Sequence, residues 1–525
     1  MTYPLSAHRV VFIAFVITVI SLLHADINLD LADEGFLWYG AIHTQAGQVP
    51  IRDFLSYEPG RYYWCAALFY ILGNGLMALR YSATLFQFLG ISAALLALRR
   101  VFESGWAIFG AGLLIFFWML VPYRYFDSSI PLIATLFATR LVEKPSLRRH
   151  FYFGVLTGLV AFFGLNHALY LSEIFFGLTA FNIWKKHLSE PLKKIAFYWI
   201  GFFCGALPFF WMWVYVPGFF KSHLDSIINQ GHFLAMGMTN TAVPVPWPWT
   251  VSWVELGKIF ENPLAQVLEF AAQSATGTAF LYLIIFYIIS VPAVFLIQRE
   301  FVSRKALWVA SVLTGFFYLH HIFSRSESIH LGEGFGPVII GILSIRTTYP
   351  FFRKQLSWLL IAVLALVSFL SAGLQNNVML KNFSPKTNLV YYAIGKDRIW
   401  IPKSYASRID DLKKILAQYV PPNEPVLLAP VMTTFYPILG KESPVYDLYF
   451  VAPQTEEIQR RMIRELEEKK VRWAVVGNPI ILSIDELRLS ISHPIFWEYL
   501  VTHFELVTDR GLRPGYFLMR RKSFL

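Results

Sequence analysis

Long apolar stretches separated by short polar turns fill the chain up to residue 373, and after Leu374 charged positions become frequent. A helix that crosses a bilayer needs ~20 mostly apolar residues. On that measure the pattern predicts eleven spans: 9–25, 79–98, 104–122, 128–142, 151–169, 171–184, 195–216, 275–298, 306–323, 333–349 and 356–373. Arg9 before the first apolar run resembles a signal peptide, but no small-residue cleavage site closes that run before His24 and Asp26, so it reads as a retained span. Residues 62–73 are apolar but too short to cross, and read as an interfacial or re-entrant helix. Beyond Leu374, Pro425–Pro430 and Val471–Gly477 read as short buried strands and Thr455–Lys470 as an exposed, charge-laced helix. Phe504–Thr508 and Tyr516–Arg520 read as a closing strand pair around Gly511 and Gly515. The expected architecture is an all-α polytopic membrane domain over 1–373, with long outer loops at 26–78 and 217–274, followed by a small extracytoplasmic α/β domain over 374–525.

Composition agrees with this. The chain is 56% hydrophobic and only 15% charged, with a mean hydropathy of +0.50. A soluble protein carries about 25% charge, and aromatics at 17% suit rings at a lipid interface. The net charge of +11 would suggest nucleic acid in a soluble protein. Its placement argues otherwise. Alternate connections hold Arg99 and Arg100; Arg140, Lys144, Arg148 and Arg149; Lys185, Lys186, Lys193 and Lys194; Arg299, Arg304 and Lys305; Arg346, Arg353 and Lys354. The positive-inside rule puts that set in the cytosol. The N-terminus is then cytoplasmic, and an odd span count places the C-terminal domain outside. The basic excess is a topology signal, and no nucleic-acid partner is expected. Cys65 and Cys204 both lie in apolar runs, form no disulfide framework or zinc spacing, and read as buried, inert thiols.

Three outer clusters carry candidate chemistry. Asp33-Glu34-Gly35 follows the first span. A carboxylate near a dry interface has its pKa raised and suits a general base. Tyr123-Arg124-Tyr125-Phe126-Asp127-Ser128-Ser129 fills a short turn, which holds Asp127 near the membrane plane. Its bland reading is an Arg124–Asp127 surface pair. Its sharper one is metal binding: a hard divalent cation such as Mg or Mn takes oxygen ligands, and Asp127 would join Asp33 or Glu34 in supplying them. Arg325-Ser326-Glu327-Ser328-Ile329-His330 fills another short turn. Arginine binds phosphate bidentately, and His330 would orient a phosphate or hydroxyl, although a lone histidine at a span end is commonly structural.

Taken together, Asp33-Glu34-Gly35, Gly47-Gln48-Val49-Pro50-Ile51-Arg52-Asp53-Phe54, Pro59-Gly60 and Tyr62-Tyr63 resemble the first outer loop of GT-C-fold glycosyltransferases. The protein O-mannosyltransferases and lipid A aminoarabinose transferases are the nearest relatives by this pattern. Ala78-Leu79-Arg80 at the second span and Asp127 in the next outer turn also fit. The resemblance covers roughly the first 150 residues in motif detail. It implies a GT-C-like membrane domain and a sugar donor carried on a polyprenyl phosphate. It also implies a catalytic base at Asp33, and a metal or acceptor role for Asp127. Relatives commonly have Lys before paired prolines, where this chain has Glu58, and Gly60 stands in place of the second proline. Arg61 would supply the charge that Glu58 removes.

In the mechanism this implies, Asp33 accepts the acceptor's hydroxyl proton, and the oxygen displaces the polyprenyl phosphate with inversion at the anomeric carbon. Glu34 and Asp127 hold the acceptor or a divalent ion. Arg61, Arg124, Arg325 and His330 meet the donor phosphate. The acceptor is a lipid, a glycan or a protein, and the natural setting is a bacterial cytoplasmic membrane. No P-loop and no strand–GxGxxG–helix unit supplies a nucleotide site; Gly332, Gly334 and Gly336 open a span instead. Two other readings stay open: a transporter or flippase, for which Asn166, His167 and Glu173 are the relevant ionisable or polar residues, and an inactive scaffold of a surface-polysaccharide complex.

Overall fold

The computed structural model describes residues 5–235, 244–259, 263–348, 354–374, 389–451, 453–481, 484–508 and 511–522. The chain forms two compact units, each assembled from separated stretches. One takes residues 1–25, 80–211 and 242–387; the other takes 26–79, 212–241 and 388–525.

The first unit is helical. Each predicted span contains helix, but several are realised as short pieces, such as Gly105–Phe117 at 13 residues and Leu147–Ala161 at 15. Among the described residues, four helices are long and apolar enough to cross a membrane, or six if each of two bent pairs counts as one span. These do not confirm the count of eleven. At 104–142 the two predicted spans correspond to a pair of helices, Gly105–Phe117 and Pro122–Glu143, bent by 102°. Proline at 122 lacks an amide hydrogen and starts the second arm at the break. The expected outer turn at Tyr123–Ser129 is the elbow of this pair, and Asp127 lies in the first turn of the helix Tyr125–Glu143.

That helix has two poles about 24 Å apart, at 1.5 Å rise per residue from Asp127 to Glu143. Alternate connections meet at the Glu143 pole. Arg100 Nη2 donates to Glu143 Oε2 at 3.2 Å, Ser303 Oγ to Glu143 O at 3.1 Å, and a His187 ring nitrogen lies 3.2 Å from Val142 O. Lys185 Nζ reaches Phe295 O at 2.7 Å beside them. Four of the five connections picked out by their basic residues thus gather in space.

The closest helix packing in this unit was not legible as a span pattern. Gly154 and Gly158 on Leu147–Ala161 face Gly201 and Gly205 on Pro191–Gly205, a small-xxx-small motif on both sides. A Cβ at Gly154 would overlap Tyr198 O, one at Gly158 would overlap Phe202 O, and one at Gly201 would overlap Phe151 O. We expect Gly201→Leu to lower stability by about 1–3 kcal/mol through overpacking, read as earlier thermal aggregation of the purified protein. Gly110, around which a Cβ would meet nothing within 4 Å, is the control: Gly110→Ala should leave the curve in place. Cys204, expected to be buried, is exposed on this second helix, while Cys65 is buried.

The second unit is α/β. Among the described residues, six strands form two sheets: a hairpin of β1 (Leu389–Ile394) and β2 (Asp397–Pro402), and a four-stranded sheet of β3 (Val426–Ala429), β4 (Trp473–Gly477), β5 (Phe504–Thr508) and β6 (Tyr516–Arg521). The larger sheet has the order β3-β4-β6-β5, with β3 and β4 parallel and the other pairs antiparallel. β3 and β4 are buried throughout, which explains why they read as continuous apolar runs rather than alternating ones. The helix Glu456–Glu468 turns Met462 and Leu466 into the core with Phe450, Phe496 and Leu500. Its outer face carries the i,i+4 pairs Glu456–Arg460 and Arg461–Glu465.

Residues 26–79 are built onto this frame. Asn28 N donates to Trp400 O and Trp400 N to Asp26 O, both at 2.7 Å, a single parallel bridge from Ile27 to Trp400 of β2. Leu55 N donates to Tyr446 O at 2.9 Å, Tyr446 Oη to Ile51 O at 2.8 Å, and Met77 N to Asp397 Oδ2 at 3.0 Å. The apolar run at 62–73 is the helix Pro59–Leu72, whose last turn leaves Tyr70 and Ile71 exposed.

Candidate functional site

Within the second unit, the helix Asp33–Gln45 begins at an acidic knot. Asp30 Oδ1 accepts from Ala32 N at 2.8 Å and from Asp33 N at 2.6 Å, while Glu34 Oε2 accepts from Asp30 N at 3.3 Å. This reciprocal pairing works as a capping box works: side chains satisfy amides that the helix start leaves without partners. It also brings three carboxylates together. Glu34 is only 2% exposed. Burial pushes the Asp30 carboxyl up from 3.8 to about 6, and the charges of Asp33 and Glu34 add to the shift.

Gly35 is required by close approach. A Cβ there would run into the backbone and hydroxyl of Thr434, whose Oγ1 donates to Asp30 O at 2.9 Å. The glycine of Asp33-Glu34-Gly35 therefore lets the C-terminal segment reach the acidic turn. Tyr449 reaches it as well: its hydroxyl donates to Asp33 Oδ1. Burial holds the Tyr449 phenol well above its ordinary value, with the Asp33 charge adding to the effect, so it stays a donor.

Tyr449 is fixed from behind. Asp447 Oδ1 accepts from Tyr449 N at 2.8 Å and Phe450 N at 3.0 Å; its Oδ2 accepts from Gln454 Nε2 at 3.0 Å and lies 3.2 Å from His493 Nε2. Burial alone would raise the Asp447 carboxyl, but the His493 bond and charge together with the two amides hold it below the ordinary carboxylate value. Arg61 is 5% exposed, with its guanidinium carbon 4.8 Å from the Tyr57 ring centroid. Tyr57 meets Phe36, and Phe36 meets Tyr449, at 5.3 and 5.6 Å between centroids. Leu31, next to Asp30, borders a cavity of about 310 Å³ floored by Val431, Met432 and Phe435, with Arg408 and Arg513 also in its lining.

The first unit holds the other predicted residues in a second buried network. Asp127 meets a histidine. Its Oδ1 lies 2.9 Å from His167 Nε2, and His167 Nδ1 lies 3.0 Å from the Tyr318 hydroxyl. Arg124 Nη1 lies 3.5 Å from Glu333 Oε1, and His321 Nε2 lies 2.5 Å from Glu333 Oε2. Glu327 takes His330 Nδ1 at 2.9 Å and Arg325 Nε at 3.4 Å. Asp127, Arg124, Arg325 and His330 thus share one region of one unit, and Asp33, Glu34 and Arg61 share one region of the other.

Asp30, Tyr449, His321 and Glu333 were not picked out by the sequence. Asp30 had a signal in its i,i+3,i+4 spacing with Asp33 and Glu34. Glu333 had one as an ionisable residue inside an apolar stretch, which marks function by default. As for a divalent ion, no group of three or more His, Cys, Asp or Glu among the described residues is arranged to hold one.

Asp30 gives a pH prediction. A carboxyl whose pKa rises on folding stabilises the folded chain while protonated. That contribution is complete below pH 3.8 and is lost as pH rises through about 6. Thermal unfolding across that window should show wild type losing stability relative to Asp30→Asn, with no further divergence above it. Parallel curves throughout would mean that Asp30 is not shifted.

The chain is similar to three solved structures. ArnT from Cupriavidus metallidurans bound to undecaprenyl phosphate is 14% identical, with a TM-score of 0.45 and 97% of each chain covered. The same protein in the apo state is 14% identical, with a TM-score of 0.43 and coverage of 97% of this chain and 96% of that one. The archaeal oligosaccharyltransferase AglB from Archaeoglobus fulgidus, in complex with an inhibitory peptide and a dolichol-phosphate, is 11% identical, with a TM-score of 0.42 over 98% of this chain and 74% of that one. No protein-family model and no curated protein sequence matches the chain.

Proposed function

We propose that this chain is a membrane glycosyltransferase with a GT-C-like plan. It moves a sugar from a polyprenyl-phosphate donor to a hydroxyl of a lipid, polysaccharide or protein at the outer face of a bacterial cytoplasmic membrane. The membrane domain would take residues 1–373 and the extracytoplasmic domain 374–525, with 26–78 gathered onto the latter. The observation that carries the reading is the state of Asp33. It stands in the first-loop pattern that resembles this enzyme class, in a knot of three carboxylates, with one oxygen held by Tyr449.

The Asp33 carboxylate takes the acceptor's proton as the acceptor oxygen attacks the anomeric carbon. The bond from that carbon to the phosphate oxygen breaks, and the polyprenyl phosphate departs from the opposite face, which inverts the configuration. Tyr449 sets the Asp33 rotamer, and Asp447 with His493 holds the Tyr449 backbone. Glu34 and Asp127 would position the acceptor. Arg61, Arg124, Arg325 and His330 would balance charge on the leaving phosphate, a form of help strongest where water is excluded.

Glycolipids and surface glycans should be compared by mass spectrometry in a strain lacking the protein and in the same strain complemented with wild type. Loss of a defined sugar mass, restored on complementation, supports transfer. An unchanged glycan profile would remove the proposal. The buried Asp127–His167–Tyr318 chain favours a second reading, transport, because ionisable residues inside helical bundles often line ion or substrate paths. Substrate flux in proteoliposomes with no bond broken would establish that one instead.

A further inference from the structure

The Glu143 pole carries a feature that neither glycosyl transfer nor transport uses. Helices Tyr125–Glu143 and Leu147–Ala161 are joined by the tight turn Lys144-Pro145-Ser146. A groove of about 420 Å³ opens there, lined by Phe137, Arg140, Lys144, Ser146, Arg148, Arg149 and Tyr152. Four cations therefore line one concavity. Glu143 is the acid beside it, and it is already shared by Arg149 at 3.8 Å and Arg100 at 3.2 Å. Four like charges crowded at a low-dielectric surface repel one another and call for a counter-anion.

The groove is also shaped for more than a bare ion. Arg148 lies over the Tyr152 ring at 5.3 Å and donates to its hydroxyl at 3.2 Å, while Arg140 lies over Phe137 at 5.9 Å. These contacts fix guanidinium planes at the rim, the geometry that binds phosphate oxygens in pairs. Ser146 caps the second helix, so the amides of its first turn also favour an anion here. Tyr152 and Leu159, seven residues apart on one helix face, are 43% and 42% exposed and make an apolar track leading away from the groove. A volume of this order suits a headgroup rather than an inorganic ion.

We propose that this groove binds the phosphodiester headgroup of an anionic glycerophospholipid, with an acyl chain lying along Tyr152 and Leu159. Basic pockets between helices at the cytoplasmic membrane surface recognise such lipids, with each Lys or Arg contributing about fivefold in affinity. The site holds whether or not the chain transfers sugar.

The test uses the full-length purified protein and titrates its thermal stability with phosphatidylglycerol, phosphatidylcholine or inorganic phosphate. Native mass spectrometry reads retained lipid in parallel. Stabilisation and retention by phosphatidylglycerol alone are expected. Arg148→Gln with Arg149→Gln should weaken it by about 25-fold, and Arg148→Lys with Arg149→Lys should keep most of it. That second pair separates lost charge from lost folding. Equal effects of phosphatidylcholine, equal effects of inorganic phosphate, or full retention by the glutamine variant would each overturn the proposal.

Discussion

Asp33→Asn is expected to lower turnover by about 10²–10⁴-fold, the usual contribution of a positioned general base. Asparagine keeps the shape and still offers a carbonyl oxygen to the Tyr449 hydroxyl, so the acidic turn and its contacts with the C-terminal segment should survive. What disappears is the lone pair that takes the acceptor's proton. The loss should therefore fall on kcat, with KM for the lipid-linked donor little changed. That split separates a missing base from a damaged site. The measurement is single-turnover transfer by purified protein at equal folded fraction, read by mass spectrometry of the acceptor. Near-normal turnover would remove Asp33 from the reaction and leave Asp30 as the acid to test next, since burial already holds its carboxyl at about 6.

The second large effect falls on stability. Glu333 is 1% exposed and holds Arg124 and His321 together. Glu333→Ala removes the acid from a buried polar network, a change that typically costs about 3–5 kcal/mol. Unfolding of the purified variant should move to clearly lower temperature. Replacing Arg124, His321 and Glu333 together by leucine should recover much of the loss, because a buried ion network is often no more stable than a well-packed apolar one. If the triple variant regains stability and remains inactive, the network serves function. A triple variant less stable than Glu333→Ala would mean that these charges hold the helices together.

Much of the fold was legible because single physical signals fixed it. Buried apolar runs of four to five residues mark β3 and β4. The helix Glu456–Glu468 announces itself by charge pairs on one face and Met462 and Leu466 on the other. The span count was less legible, because hydropathy records that residues avoid water and says little of where a helix breaks. The 102° elbow after Phe117 lies between two predicted spans, at a break that hydropathy does not mark. At the site, Asp33 and Asp127 were readable from pattern, but their partners were not. Tyr449 stands 416 positions from Asp33, and Glu333, which meets Arg124, lies more than two hundred positions from it. Such choices belong to tertiary packing, which sequence spacing does not encode. His167, singled out as a transport candidate, holds Asp127.

The acidic turn is completed from far along the chain. Thr434, which holds the backbone of Asp30, lies 404 residues downstream. At about 5–20 residues per second of synthesis, that separation corresponds to roughly 20–80 s. During this time the first loop already stands at the membrane without Thr434 or Tyr449 to shape it. A half-made chain therefore carries these carboxylates in an unassembled form, and the acidic turn is complete only after Thr434 and Tyr449 have emerged. The order in which the chain arrives sets when this turn can form.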